Sequence, residues 1–286
     1  MALLLCATCE SIPHLTEDDQ ALLAPLAERG IQARPAVWSD TGVDWLAADA
    51  VLIRSCWDYH LRLKEFLGWL ATLERAGVCV WNAPHTLRWN AEKTYLRDLE
   101  RRGVAIVPTL WPEPGFSLQD KMRDAGWKKA VVKPRVSATA YRTRLVSAED
   151  EDGQTLLDEL MRGPGAMVQE FMESVLTQGE WSLVFFGGKF SHAVIKRPKA
   201  GDFRVQHDFG GSESPALPPD FVIEAARRAV ATVDPVPLYA RVDGVERGGQ
   251  FLLMELELLE PALFLKLAPQ GAETFAEAIE AALRSR

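Results

Sequence analysis

Four cysteines among 286 residues are too few for a disulfide scaffold, and a cytoplasmic location is the expectation. Long apolar runs are also missing. The longest are strand-sized, far short of the roughly 20 residues that a membrane-spanning helix needs. MALLLCA at the start is apolar, but no basic stretch precedes it and acidic residues follow. It reads as a first β-strand, not a signal peptide. Basic charge is in the minority, with 32 Lys and Arg against 40 Asp and Glu and a formal net charge of −8. That argues against a nucleic-acid surface. No G-x-G-x-x-G occurs, so dinucleotide binding has no support. Cys6 and Cys9 form a C-x-x-C, but no second such pair completes a zinc site and Cys56 and Cys79 stand alone. Small residues at a strand end are the better reading.

What is present is an ordinary globular composition, 48% hydrophobic and 25% charged, in a chain long enough for two or three subdomains. Residues 1–85 alternate in the α/β manner. ALLLCA, IQARPAVW, DAVLIRS and VCVW are strand-like, with helices opening at Thr16 and running around Leu61–Ala76. A small parallel sheet with crossover helices is predicted. A helix from Asn90 to Arg102 ends at Gly103. KKAVVKPRV (128–136) and GAMVQEFME (165–173) are strands of a second unit. The third holds WSLVFFGGKFSHAVIKR, a hairpin turning at Gly187-Gly188, then YARVDGVERGGQFLLMELELLEP. AETFAEAIEAALRSR reads as an amphipathic packing helix. The whole is a mixed α/β (α+β) fold, divided at 1–85, 86–172 and 173–286.

FLLMELELLEP contains the most informative anomaly. Glu255 and Glu257 interrupt an apolar strand, and alternation puts both carboxylates on one face, roughly 6.6 Å apart along the backbone. A hairpin turning near residue 248 with odd residues paired to odd brings Arg241 and Asp243 onto the same face. A solvated ion-pair ladder is one reading. The apolar flanks favour another: oxygen-only ligands for a hard divalent cation, Mg²⁺ or Mn²⁺, completed by phosphate. Lys133, at the end of the buried-looking strand AVVKP, and Lys93, near a helix start, are candidate phosphate contacts.

Taken in order, Lys93, VVKP, VQEFM, GEWS, ARVD and MELE resemble the ATP-grasp superfamily over roughly residues 80–265. The N-terminal sheet is similar to the domain preceding the grasp in glutathione synthetase and D-alanine–D-alanine ligase. RVD…ELE resembles the family's R-x-D…E-x-N signature, departing from it at Glu257. The resemblance implies a three-subdomain ATP-grasp fold: an N-terminal α/β domain (1–85), a central lid (86–172) and a C-terminal subdomain with the Mg²⁺ site (173–286). It implies that Lys93 and Lys133 contact ATP phosphates, that Gln169, Glu170, Phe171 and Met172 line the adenine, and that Glu180 meets the ribose. Asp243, Glu255 and Glu257 would hold Mg²⁺. Arg241 would stabilise an acyl phosphate and the oxyanion of nitrogen attack.

RSCWDYH (54–60), VWNAPHTLRWNAEKTYL (80–96) and IKRPKAGDFRVQHDFGGS (195–212) are similar to the branch that forms D-cycloserine by closing O-ureido-D-serine. That likeness implies a small amino acid as the partner molecule. Arg204, with Lys196 beside it in a basic loop, would grip a carboxylate or γ-phosphate. Asp58 and Tyr59 would lie in the substrate pocket, Asp58 meeting an ammonium. Intermolecular carboxylate–amine ligation and a non-catalytic ATP-binding module are the alternatives; a kinase is disfavoured by the lack of an HRD pattern.

Overall fold

The computed structural model describes residues 1–285. Its strands are β1 (Ala2–Thr8), β2 (Ile31–Val37), β3 (Ala50–Ser55), β4 (Val80–Trp81), β5 (Thr109–Leu110), β6 (Lys129–Pro134) and β7 (Arg144–Ser147). There follow β8 (Ala166–Glu170), β9 (Glu180–Phe186), β10 (Lys189–Arg197), β11 (Ser212–Pro215), β12 (Tyr239–Arg247) and β13 (Gln250–Glu257). They form three sheets: parallel β2-β1-β3-β4, antiparallel β5-β8-β6-β7, and antiparallel β11-β10-β9-β12-β13.

The parallel sheet forms as its sequence predicts. Every residue of AVLIRS in β3 is buried, as a strand covered on both faces requires. The helix Leu63–Arg75 covers one face with Phe66, Leu70 and Leu73, spaced four and three residues apart. On the other face, Leu4, Cys6 and Leu52 share a core with Phe186, Tyr239, Phe275 and Ile279. Phe275, from the helix Pro269–Arg284, stacks on Phe186 with ring centroids 4.4 Å apart. One core therefore joins the parallel sheet to the five-stranded sheet. The central sheet has its own core, built from Leu118, Val132, Leu157 and Val168 among others. Helix Tyr95–Arg101, grouped by sequence with the central unit, packs Tyr95, Leu96 and Leu99 into the core of the five-stranded sheet instead.

The β12–β13 hairpin turns at Gly248 and Gly249, both with positive φ, and its first pair is Arg247 with Gln250. This two-residue turn pairs odd with even positions. Continued unbroken, it would set Asp243 opposite Met254 and turn Glu255 to the far face. A bulge corrects it: Gly244 pairs with Leu253, but Asp243 pairs with Glu255 and Arg241 with Glu257. The odd-with-odd register predicted from sequence is present, but the bulge creates it, not the turn.

Past β13 the chain loses regular structure, and side chains take over the task of a sheet. Six successive carbonyls, Leu258 to Leu263, each face a side-chain donor. In order these are Asn82 Nδ2 (2.7 Å), the Tyr239 hydroxyl (3.0 Å), Trp57 Nε1 (3.1 Å), Arg54 Nη2 (2.6 Å), Arg241 Nη1 (3.0 Å) and His192 Nε2 (2.7 Å). Asn90 pins the strand just before, donating to Leu256 O at 2.7 Å and accepting from Leu258 N at 2.8 Å. Buried backbone groups without such partners would cost about 1–3 kcal/mol each.

The bulge has a sensitive point. A Cβ on Gly244 would lie 2.4 Å from both Leu252 O and Phe251 Cζ. Gly244→Ala is expected to destabilise the protein by about 3 kcal/mol, read as a lowered urea midpoint. A midpoint equal to the parent's would mean the bulge tolerates a side chain.

Candidate functional site

A cavity of about 280 Å³ opens between the five-stranded sheet, the central sheet and the segment following β3. Its floor is the charged face of the β12–β13 hairpin, with Arg241 at the hub. Arg241 Nε donates to Asp243 Oδ1 at 3.0 Å, and Nη2 donates to Asp243 Oδ2 at 2.9 Å and to Glu257. Burial alone would lower the guanidinium pKa; Asp243 and Glu257 outweigh it and raise it. Asp243 also accepts from Ser182 Oγ at 2.6 Å and Lys196 Nζ at 3.0 Å. Burial pushes its carboxyl up, yet Arg241 and Lys196 prevail and hold it well below the usual carboxylate range.

The remaining acids are shared out among lysines. Lys196 Nζ lies 2.5 Å from Glu180, whose carboxyl burial still keeps raised against the pull of that lysine. Lys93 Nζ lies 2.7 Å from Glu255 and donates to Ser137 O at 2.9 Å. Burial raises the Glu255 carboxyl, but Lys93 and Lys133 overcome this and lower it. Glu257 behaves in the opposite way. Burial lifts it to about 8 with Asp243 and Glu255 adding to the push, although Arg241 pulls against them. Lys133 is buried beside the same acids, and desolvation lowers its pKa more than Glu255 can restore.

The structure thus brings Arg241, Asp243, Glu255, Glu257, Lys93, Lys133, Glu180 and Lys196 to one cavity. The carboxylates are held by Arg241, Lys93 and Lys196, an ion-pair network on a buried face, not a solvated ladder. Among the described residues, no three His, Cys, Asp or Glu side chains converge closely enough to hold a metal ion between them. The donor chemistry nevertheless fits a hard cation: three carboxylates from one sheet face, with residual repulsion at Glu257.

Gln169, Glu170, Phe171 and Met172 form another wall, where β8 leaves the central sheet. Gln169 Nε2 donates to Thr109 Oγ1 at 3.2 Å and Glu170 pairs with Arg247 at 2.6 Å. Met172, Val175 and Met254 pack into one apolar cluster on this side. Arg204 also lines the cavity, its guanidinium 2.8 Å from Asp202 and 3.6 Å from the Phe209 ring centre.

Of the predicted substrate contacts, Tyr59 lines the cavity and Asp58 does not. Asp58 is occupied on the other side, accepting from Trp38 Nε1 at 2.8 Å with Arg62 3.9 Å away. The expected ammonium contact is therefore not made by Asp58 in this geometry: the turn after β3 faces Trp57 and Tyr59 inward. Cys6 and Cys9 are buried in different cores. Sequence reasoning missed Ser182, Asn90 and Glu260, all at or bordering the cavity. Glu260 had a readable signal, a third acid in the same apolar run. Burial lifts its carboxyl to about 7 while Lys93 pulls the other way.

A five-stranded antiparallel sheet and a smaller central sheet closing on lysines, an arginine and acids, behind a parallel N-terminal domain, define the ATP-grasp class. Solved relatives agree. The crystal structure of D-cycloserine synthetase DcsG superposes with a TM-score of 0.87 at 28% identity, covering 99% of this chain and 100% of that one. D-alanine–D-alanine ligase from Bacillus anthracis superposes with a TM-score of 0.71 at 17% identity, over 100% of this chain and 98% of that one. Residues 4–82 match the family model for the N-terminal domain of D-cycloserine synthetase DcsG. The cycloserine biosynthesis protein DcsG of Streptomyces lavendulae is 30% identical, with 93% of this chain aligned to 94% of that protein. Glutathione synthetase of Prochlorococcus marinus (strain MIT 9313) is 33% identical over 150 residues, 51% of this chain and 46% of that protein. The chain belongs to the D-cycloserine synthetase DcsG family of ATP-grasp ligases.

The position of Glu260 sets a pH dependence. Its carboxyl titrates at about 7 in the folded protein against an ordinary 4.5. The folded state therefore loses stability as pH rises from about 4.5 through about 7, because a buried carboxylate must ionise. Glu260→Gln is expected to be about 3 kcal/mol more stable than the parent at pH 8. That gain should shrink to near zero at pH 4, as chemical denaturation at the two pH values would show.

Proposed function

We propose that this chain is an ATP-dependent carboxylate–amine ligase whose substrate is a small amino acid, closed on itself by one of its own nitrogens. The observation that carries this reading is the single cavity where Lys93, Lys133, Lys196 and Arg241 meet Asp243, Glu255 and Glu257. Kinship with D-cycloserine synthetase over nearly the whole chain supports it.

The chemistry follows from the weakness of a carboxylate as an electrophile. Its oxygen attacks the γ-phosphorus of ATP, ADP leaves, and an acyl phosphate remains. A nitrogen then attacks the acyl carbon and phosphate departs. Lys93 and Lys133 would neutralise the phosphate oxygens. The β8 exit, Gln169–Met172, would hold the adenine against the apolar cluster, with Glu180 at the ribose. Arg241, fixed by Asp243 and Glu257 on one side and Ala262 O on the other, would face the oxyanion of nitrogen attack. Arg204, released from Asp202, would grip a substrate carboxylate or γ-phosphate. Asp243, Glu255 and Glu257 are the residues that would hold Mg²⁺, which supplies charge neutralisation at the transferred phosphoryl group when bound. Water would have to be kept from the acyl phosphate, which it would otherwise hydrolyse.

The test is phosphate release from ATP against a panel of D- and L-amino acids including O-ureido-D-serine, with and without a second amine. Release with O-ureido-D-serine alone, first order in it, is the expected result. Dependence on a separate amine would replace ring closure by intermolecular ligation.

Glu255→Gln and Glu257→Gln are each expected to lower Mg²⁺-dependent turnover by at least about a hundredfold while thermal unfolding stays cooperative. Turnover within a factor of two of the parent would remove the two carboxylates from the metal role.

A further inference from the structure

Glu260 is a buried acid of this cavity to which the ligase chemistry above gives no task. It is 8% exposed and lines the cavity together with Trp57, Tyr59, Lys93 and Glu255. Asp243, Glu255, Glu257, Glu180 and Glu170 each hold a lysine or arginine. Glu260 forms no ion pair among the described residues. Lys93 and Arg241 act on it through space without pairing with it, so a cationic ligand seated against it would be stabilised.

Its backbone is also fixed to an unusual degree. The carbonyls before it, on it and after it are held by Tyr239, Trp57 and Arg54. Leu259, its neighbour, is buried at 2% exposure. The backbone carrying the carboxylate is thus set before any ligand arrives, beside two aromatic side chains of the kind that suit an alkylammonium. Lys93 and Glu255, at the phosphate end of the cavity, lie within electrostatic reach of it.

We propose that Glu260 is the recognition residue for the α-ammonium group of the amino-acid substrate, the role that Asp58 is turned away from filling. The inference rests on the ligase reading above and makes the amino group, not only the carboxylate, a requirement for binding.

The experiment compares O-ureido-D-serine with 3-(ureidooxy)propanoate, which differs by loss of the amino group, in the parent and in Glu260→Gln. Phosphate release gives KM and kcat, and calorimetry with Mg²⁺ and ADP reports the nucleotide site. The parent should prefer the amino compound by at least about tenfold in KM. Glu260→Gln should raise KM for the amino compound by about 10- to 100-fold, leave KM for the des-amino compound unmoved, and bind ADP as the parent does. An unchanged KM for the amino compound in the variant overturns the assignment. So does a fall in kcat at constant KM, which would place Glu260 in proton transfer. If the parent releases phosphate with no amino acid of the panel, the ligase reading fails and the assignment fails with it. The first two failures leave that reading intact, so the cases are distinguishable.

Discussion

The six consecutive carbonyls of residues 258–263 are the point on which this molecule turns. A segment at the meeting of two sheets cannot join either ladder, and buried peptide groups left over would be costly. The solution draws donors from β3, β10 and β12 and from the residues that follow β3 and β4. Each donor thereby gains a fixed position. Arg241 is the clearest case, since one of its nitrogens serves the backbone while the others serve Asp243 and Glu257. Structure and site are the same set of bonds at this place.

The electrostatics follow from that scaffold. Three acids on one sheet face would repel, and in a buried setting would protonate. Arg241, Lys93 and Lys196 divide them, and Asp243 and Glu255 stay charged as a result. Glu257 and Glu260 escape full compensation and are left high. Lys133 is the complementary imbalance, a buried cation whose pKa is lowered. The cavity therefore holds acids and a lysine whose charged forms burial disfavours, which a ligand bearing both signs of charge would stabilise.

Much of this was legible in the residues. Period-two alternation placed Glu255 and Glu257 on one face, and strand-length apolar runs marked the strands of the three sheets except β5, β7 and β11, which lie at sheet edges. The register was legible only in outcome, because the bulge at Met254 depends on the fit of Gly244 against Phe251 and Leu252, a packing fact no local pattern encodes. Asp58 is set apart from its neighbours because a tight turn after a strand can present either neighbour inward, and Trp38, just past β2, holds its carboxylate. Glu260 was passed over since it lies beyond the strand, where alternation no longer predicts facing. Asn82 and Asn90 were invisible for another reason: an asparagine that substitutes for backbone pairing looks like any loop asparagine.

The stacking of Phe275 on Phe186, over a core shared with Leu4 and Leu52, has a bearing on how the chain is made. The parallel sheet is made before the other two sheets, yet part of its covering arrives with the helix Pro269–Arg284, after both of them. The central sheet, whose core is drawn from residues 118–168, meets no such delay. The core of the central sheet is therefore complete in the chain before the core of the N-terminal strands, whose inner face until then has only Leu15, Leu22 and Leu26 of its own unit against it.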